Sequence, residues 1–303
     1  MRKVLLATTA LVAMSVSAAQ ADVSISGQAV FEVYSPSTGA QTFTTDGGIN
    51  ITGTQTTDTG LTFTALHQAQ FETAAGANDS YIDVAGDFGS VRLGDTDAAL
   101  DRMDGATGAA MDLEGTGSGN STTATNLAAS ATQIGNGDPT AISFFAPSMN
   151  GMTFYGQAEA DGAGSGFGVN YSIGGISLMA QSIQDKVFDG DTANTDEAID
   201  ATAIAASFSM AGVSFGMGSA TWDSTPTQEK ITATDIGVSY SSGGMTLVAT
   251  SASGKQGNRT DKYSNIGVSY TIAPGITAMV ESGRGEVAAA DFDATWAGLS
   301  VDF

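Results

Sequence analysis

Carboxylates gathered in one stretch are the first candidates for chemistry. Asp95, Asp97, Asp101, Asp104, Asp112 and Glu114 crowd into residues 95–114, with Arg102 among them and Arg92 just upstream. Carboxylates ringed around a channel attract cations and repel anions. The same oxygens suit calcium, although the chain has no full EF-hand loop and Asp189-Gly190-Asp191 is only a fragment of one. An ordinary acidic loop, solvated and without function, has the same composition. No other cofactor is expected.

Catalytic constellations are weak. Gly212-Val213-Ser214-Phe215-Gly216 has the spacing of a hydrolase elbow, but Val213 and Phe215 alternate as in a strand and no helical pattern follows. The single histidine, His67, precedes that serine, against the order the elbow requires. His67 shares a phase with Leu61, Phe63, Ala65 and Ala69, so it is expected to face outward at a subunit contact. Gly115 to Gly119 and Gly162 to Gly168 lack the strand–helix context and the lysine of a phosphate loop, and read as flexible loop. No residue is expected to be catalytic.

The elements that must position these residues are strands. Period-two alternation dominates. It predicts sixteen strands, at 23–34, 43–54, 61–71, 79–86, 90–95, 140–146, 151–160, 165–173, 176–184, 198–209, 212–221, 230–241, 244–252, 261–272, 275–282 and 291–303. Most approach the ~9–11 residues that a tilted strand needs to cross a bilayer. One phase is apolar, as in Ile25, Ala29, Phe31, Val33 or Met152, Phe154, Ala158. The charges placed within strands are Glu32, Asp46, Asp83, Arg92, Glu159, Asp235, Glu281 and Asp302, and all fall on the opposite phase.

Connections alternate between two kinds. Tight ones such as Gly86-Asp87-Phe88-Gly89, Gly174-Gly175, Ala211-Gly212 and Ala273-Pro274-Gly275 carry turn residues. The others are longer and polar, among them Ser253 to Thr260 and Gly283 to Ala290. Short turns at one end and long loops at the other are the outer-membrane pattern. The connection 95–139 is about 45 residues long, a length that is commonly functional, and it is expected to fold into the lumen.

Bulk properties agree. Arg2 and Lys3, an apolar run from Val4 to Val16 and Ala19-Gln20-Ala21 make residues 1–21 an export signal, with the mature barrel at 22–303. The formal charge of −22 repels nucleic acid. With no cysteine there is neither a disulfide nor a thiolate metal site.

Phe43 to Gly53, Asp58-Thr59-Gly60-Leu61-Thr62-Phe63, Asp87 to Asp95 and Gly298-Leu299-Ser300-Val301-Asp302-Phe303 together resemble the general-diffusion porins of alphaproteobacterial outer membranes. The resemblance implies an all-β fold: a sixteen-stranded antiparallel transmembrane β-barrel, with a long third loop in the lumen. It implies a homotrimer in outer-membrane lipid, passing small hydrophilic solutes and ions. It implies a pore constriction built from Arg92, Asp95, Asp97, Asp101, Arg102, Asp104, Asp112 and Glu114, and an assembly signal in Leu299, Val301 and Phe303. Many such porins oppose an acidic loop to a cluster of wall arginines. In the mature chain only Arg92 and Arg102 precede Lys186, so the match is incomplete; the loop carboxylates and the large negative balance make a cation preference the expectation. Two other readings fit the same strands: a substrate-specific outer-membrane channel, and a secreted β-rich adhesin. An aromatic slide along the lumen would mark the former, and inward Tyr34, Tyr155 and Trp296 are too scattered to form one.

Overall fold

A computed structural model describes residues 22–70, 80–95, 140–160, 164–185, 199–223, 229–287 and 289–303. Its strands are β1 (Asp22–Pro36), β2 (Thr42–Thr56), β3 (Thr62–Gln70), β4 (Ser80–Gly86), β5 (Gly89–Asp95), β6 (Thr140–Phe145), β7 (Met152–Glu159) and β8 (Gly164–Ile173). They continue as β9 (Ile176–Asp185), β10 (Ile199–Met210), β11 (Val213–Asp223), β12 (Ile231–Ser242), β13 (Met245–Gln256), β14 (Arg259–Ala273), β15 (Ile276–Val287) and β16 (Ala290–Asp302). Each pairs antiparallel with its sequence neighbours, and β1 pairs with β16 to close the barrel.

Turn chemistry fixes the register. Gly174-Gly175 and Gly243-Gly244 have positive φ at both residues, as does Ala211-Gly212. That is the geometry whose twist matches two paired strands. Closure is completed at the chain ends, where Gly27 N–H donates to the Phe303 carbonyl at 2.8 Å and Phe303 N–H to the Gly27 carbonyl at 2.9 Å. The Phe303 ring lies against Gly27, where a Cβ would come within 2.6 Å of it.

Burial is inverted relative to a soluble domain. Ile25, Phe31, Phe154, Phe167, Ile204, Ile236, Ile266 and Leu299 are exposed. Arg92, Gln157, Glu159, Gln181, Asp235, Asp261, Asn265 and Glu281 are buried. The strand register puts the first set on the outer wall and the second on the inner wall. This is the arrangement a bilayer requires, with apolar residues towards lipid and polar ones towards the lumen. Phe208 opposite Phe215, with Tyr171, Tyr240 and Tyr270 near the other tight turns, forms an outward aromatic girdle at that end.

Two expectations need correction. Ser253 to Thr260 and Gly283 to Ala290 are mostly strand, not loop: β13 and β14 meet at Gly257 and Asn258, and β15 and β16 at residues 288–289. Connections at the loop end are therefore not uniformly long. The strands run on beyond the apolar belt, and there their outward phase carries Lys255, Lys262, Arg284, Glu286, Asp291 and Asp293. Outward Lys262 stands eight residues along β14 from Tyr270, about 20 Å up the barrel axis. Composition misled because strand in water is polar on both faces. Gly164 to Gly168 lie in β8, as the strand expected at 165–173 has them and against the flexible-loop reading of Gly162 to Gly168.

The belt makes a direct prediction. Ile236 faces outward midway along β12, and Ile236→Lys should destabilise the barrel by about 2–4 kcal/mol, against less than about 1 kcal/mol for Thr232→Lys near the loop end. Denaturant unfolding in lipid vesicles measures both, and equal costs would contradict the assignment of the lipid face.

Candidate pore and constriction

The one predicted constriction residue whose side chain is described, Arg92, sits on β5 directly opposite Asp83 on β4. Its Nε and Nη2 each donate to one Asp83 carboxylate oxygen at 2.7 Å. This fork-on-fork pairing is the strongest arrangement open to the two groups. The guanidinium also lies 3.6 Å from the Tyr81 ring centroid and 5.9 Å from that of Phe145. Arg92 is thus held flat on the wall with its charge matched. Asp95 ends β5, opposite Ser80 and Thr140. Asp97, Asp101, Arg102, Asp104, Asp112 and Glu114 lie outside the described residues, as does the rest of 96–139.

The far wall carries a polar ladder that the sequence reading had only in fragments. Thr250 on β13 donates to the Asn265 side-chain carbonyl on β14, and the Asn265 amide donates to Glu281 on β15. Glu281 is fully buried, and Trp296 stands directly across from it on β16. On β14, Arg259 grips Asp261 through Nε at 2.9 Å and Nη2 at 2.5 Å. Arg259 and Asp261 were missed because one fell in a predicted loop and the other at a strand end. On β7, two strands from Arg92, Gln157 donates to Glu159 at 3.2 Å.

Inward aromatics are more numerous than expected. Tyr34 and Trp296 face each other across β1 and β16. Tyr263 stacks on Phe292 at 5.9 Å, and Phe145 meets Tyr155 edge-on at 5.6 Å. Tyr263, Trp222 and Trp296 are nonetheless buried, so they do not present a continuous slide to solute. Beside them Met179, Ile183, Ala201, Ala203, Ala220 and Ala233 form a buried apolar arc of the inner wall on β9–β12.

The hydrolase elbow dissolves. Gly212 belongs to a turn, Ser214 lies on β11 with its hydroxyl 2.8 Å from that of Ser209, and His67 bonds Ser80 through Nδ1 at 2.6 Å. His67 faces outward and Ser214 inward, so the two cannot share a substrate. No three acidic or imidazole groups gather at metal-binding distance among the described residues. Asp189 and Asp191 lie outside them.

Solved structures with this architecture are porins and outer-membrane proteins. OmpT of Vibrio cholerae, in a form lacking its loop L8, superposes with a TM-score of 0.75 at 14% identity, over 93% of this chain and 99% of that one. A porin refined at 1.8 Å gives 0.69 at 17% identity over 93% and 100%. A triple mutant of the Rh. blastica porin gives 0.66 at 20% identity over 93% and 100%. No match was found among curated protein sequences. The family model for Gram-negative porins matches residues 7–290. A sixteen-stranded barrel, greasy outside and polar within, joined to that match over most of the sequence, means that this chain belongs to the Gram-negative porin family and forms a diffusion channel of the outer membrane.

Proposed function

We propose that the channel passes small hydrophilic solutes through water and prefers cations. The observation that carries this is the charge of the inner wall. Among the described residues, Glu32, Asp46, Asp83, Glu159, Asp235, Asp261, Glu281 and Asp302 are inward, against Arg92 and Arg259. Both guanidiniums are already paired with a wall carboxylate, at 2.7 and 2.5 Å. The chain's other described bases, Lys230, Lys255, Lys262 and Arg284, stand at the loop end, the last three on the outer phase. A lumen so lined concentrates cations and excludes anions. The expected acidic constriction at residues 95–114 would add to the same field.

We further propose export by residues 1–21 and assembly as a homotrimer. β1 begins at Asp22, the residue after Ala19-Gln20-Ala21. β3–β6 follow one another round the wall. Their outer face presents Phe63, Ile82, Leu93, Ile142 and Phe144, together with the His67–Ser80 pair. A polar pair facing outward is less costly against another subunit than against hydrocarbon. In the same reading Leu299, Val301 and Phe303 form the assembly signal. Leu299 and Val301 lie in one outward row on β16, facing Phe31 and Ala29 across the closing seam, and Phe303 follows one residue past its end.

Two experiments follow. In a planar bilayer under a salt gradient, the reversal potential should have the sign of a cation-selective pore. Glu32→Gln should lower the cation-to-anion permeability ratio by about two- to five-fold, the effect of one unit charge a few ångströms from an ion in water. An anion-favouring potential would reject the preference. Separately, deleting Phe303 removes both backbone bonds to Gly27 and the ring above it. Outer-membrane yield of heat-resistant assemblies should fall severalfold, and an undiminished yield would rule out the signal.

A further inference from the structure

The inner wall near the tight-turn end has a gap built into it. Register puts Gln70, Gly48, Gln28 and Asp302 in one cross-strand row over β3, β2, β1 and β16. The next row towards the turns holds Gln68, Asn50 and Ser26. Every position in the upper row carries a polar side chain except Gly48. Its neighbours in the row, Gln28 and Gln70, therefore stand two strand spacings apart, about 9.5 Å. The result is a cavity of about 500 Å³ lined by Gln28, Asp46, Asn50, Gln68, Gln70 and Asp302. That volume falls in the range of small-molecule pockets.

The lining has a definite chemistry. Four primary amides and two carboxylates, with Ser26 and Phe303, surround the gap, and no basic side chain does among the described residues. Gln28 donates Nε2 to Asp302 Oδ1 at 2.8 Å, which fixes both planes. Asp46 Oδ1 accepts from the Gly47 N–H, and Asp46 lines the cavity. The Asn50 side-chain carbonyl is shielded and accepts no bond. Amides that donate and accept, set beside carboxylates that only accept, match a ligand whose groups do both. Hydroxyls on adjacent carbons are such groups.

We propose that this recess is a stopping place for a neutral polyhydroxylated solute, a single sugar ring or a cyclic polyol, on its way through the pore. The inference rests on the channel reading and adds a solute class to it. Gly48 supplies the room, Gln68 and the Asn50 amide nitrogen hold one edge of the ring, and Gln28 with Asp302 holds the other. A side chain at Gly48 would occupy the gap, at the cost of a 3.1 Å approach of its Cβ to the Ala69 carbonyl.

The test uses the full-length channel in a planar bilayer with glucose as probe. Ionic current through the native channel should fall saturably with glucose, by more than the rise in viscosity accounts for. In Asn50→Leu/Gln68→Leu the apparent glucose affinity should drop about ten-fold or more, the loss of two hydrogen-bonding groups. Gly48→Leu, which fills the gap and removes no polar group, should do the same. Current in salt alone checks that each variant still forms a pore. A purely viscosity-proportional fall in the native channel would overturn the proposal, as would unchanged glucose affinity in conducting variants. Saturable block by tetramethylammonium but not by glucose would also overturn it, marking the recess as a cation site. A native protein that carries no current in salt would instead bring down the channel reading itself.

Discussion

The pairing of β1 with β16 is the constraint on which the rest depends. Hydrocarbon offers no partner to a backbone N–H or carbonyl, and each one left open costs several kcal/mol. An open sheet in a bilayer would expose two full edges. Here the seam runs from Gln28 opposite Asp302 to Pro36 opposite Ala294, and the Gly27–Phe303 bonds extend it to the last residue. At the loop side Pro36 has no N–H to give, and the seam runs one bond further, with Ser37 N–H donating to the Asp293 carbonyl at 2.7 Å. Once the sheet is closed, every strand has one face towards lipid and one towards the lumen, and the chemistry of each position follows from its parity.

Closure also explains why acids can be buried here without collapse of the fold. The buried Asp261 and Glu281 and the half-buried Asp83 are each held by a donor on the wall itself: Arg259, Asn265 and Arg92. A buried carboxylate without such a donor would be strongly destabilising. The ladder Thr250–Asn265–Glu281 steps across three strands, as side chains on one face of a sheet allow. The wall is therefore braced by its own polar contents, as a soluble core is braced by packing.

Much of this was legible in the sequence, for a physical reason. Alternation over eight or more residues reports parity, and glycine pairs report tight turns, so strand number and the inward phase of Glu32, Arg92 or Asp235 could be read directly. The Asp83–Arg92 pair was legible too: the two residues are equally distant from the Asp87-Phe88 turn, which sets them opposite each other. Contacts not governed by a local turn were hidden. Gln28 reaches Asp302 only because the barrel closes, and no short-range signal carries that register. Inward Tyr81, Trp222 and Phe292 escaped notice because parity gives a face, not a neighbour. The strand above the membrane at Ser253–Gln256 was misread because, without lipid on one side, alternation between polar and apolar residues disappears.

The distribution of the bases gives the lumen its character. Porins that oppose an acidic loop to wall arginines create a field across the pore. In this chain the nearest equivalent, Arg92, is spent on Asp83 and lies flat between Tyr81 and Phe145, so it contributes little net charge to the water beside it. Arg259 is held in the same way by Asp261. Lys255, Lys262 and Arg284 face outward above the belt, screened from the lumen by the wall. On the described inner surface carboxylates outnumber guanidiniums. A field of one sign sorts permeants by their net charge. A transverse field, by contrast, orients their dipoles. On the proposed cation-preferring reading, the departure from the arginine-cluster pattern changes the kind of discrimination exerted, while the barrel that carries it is unaltered.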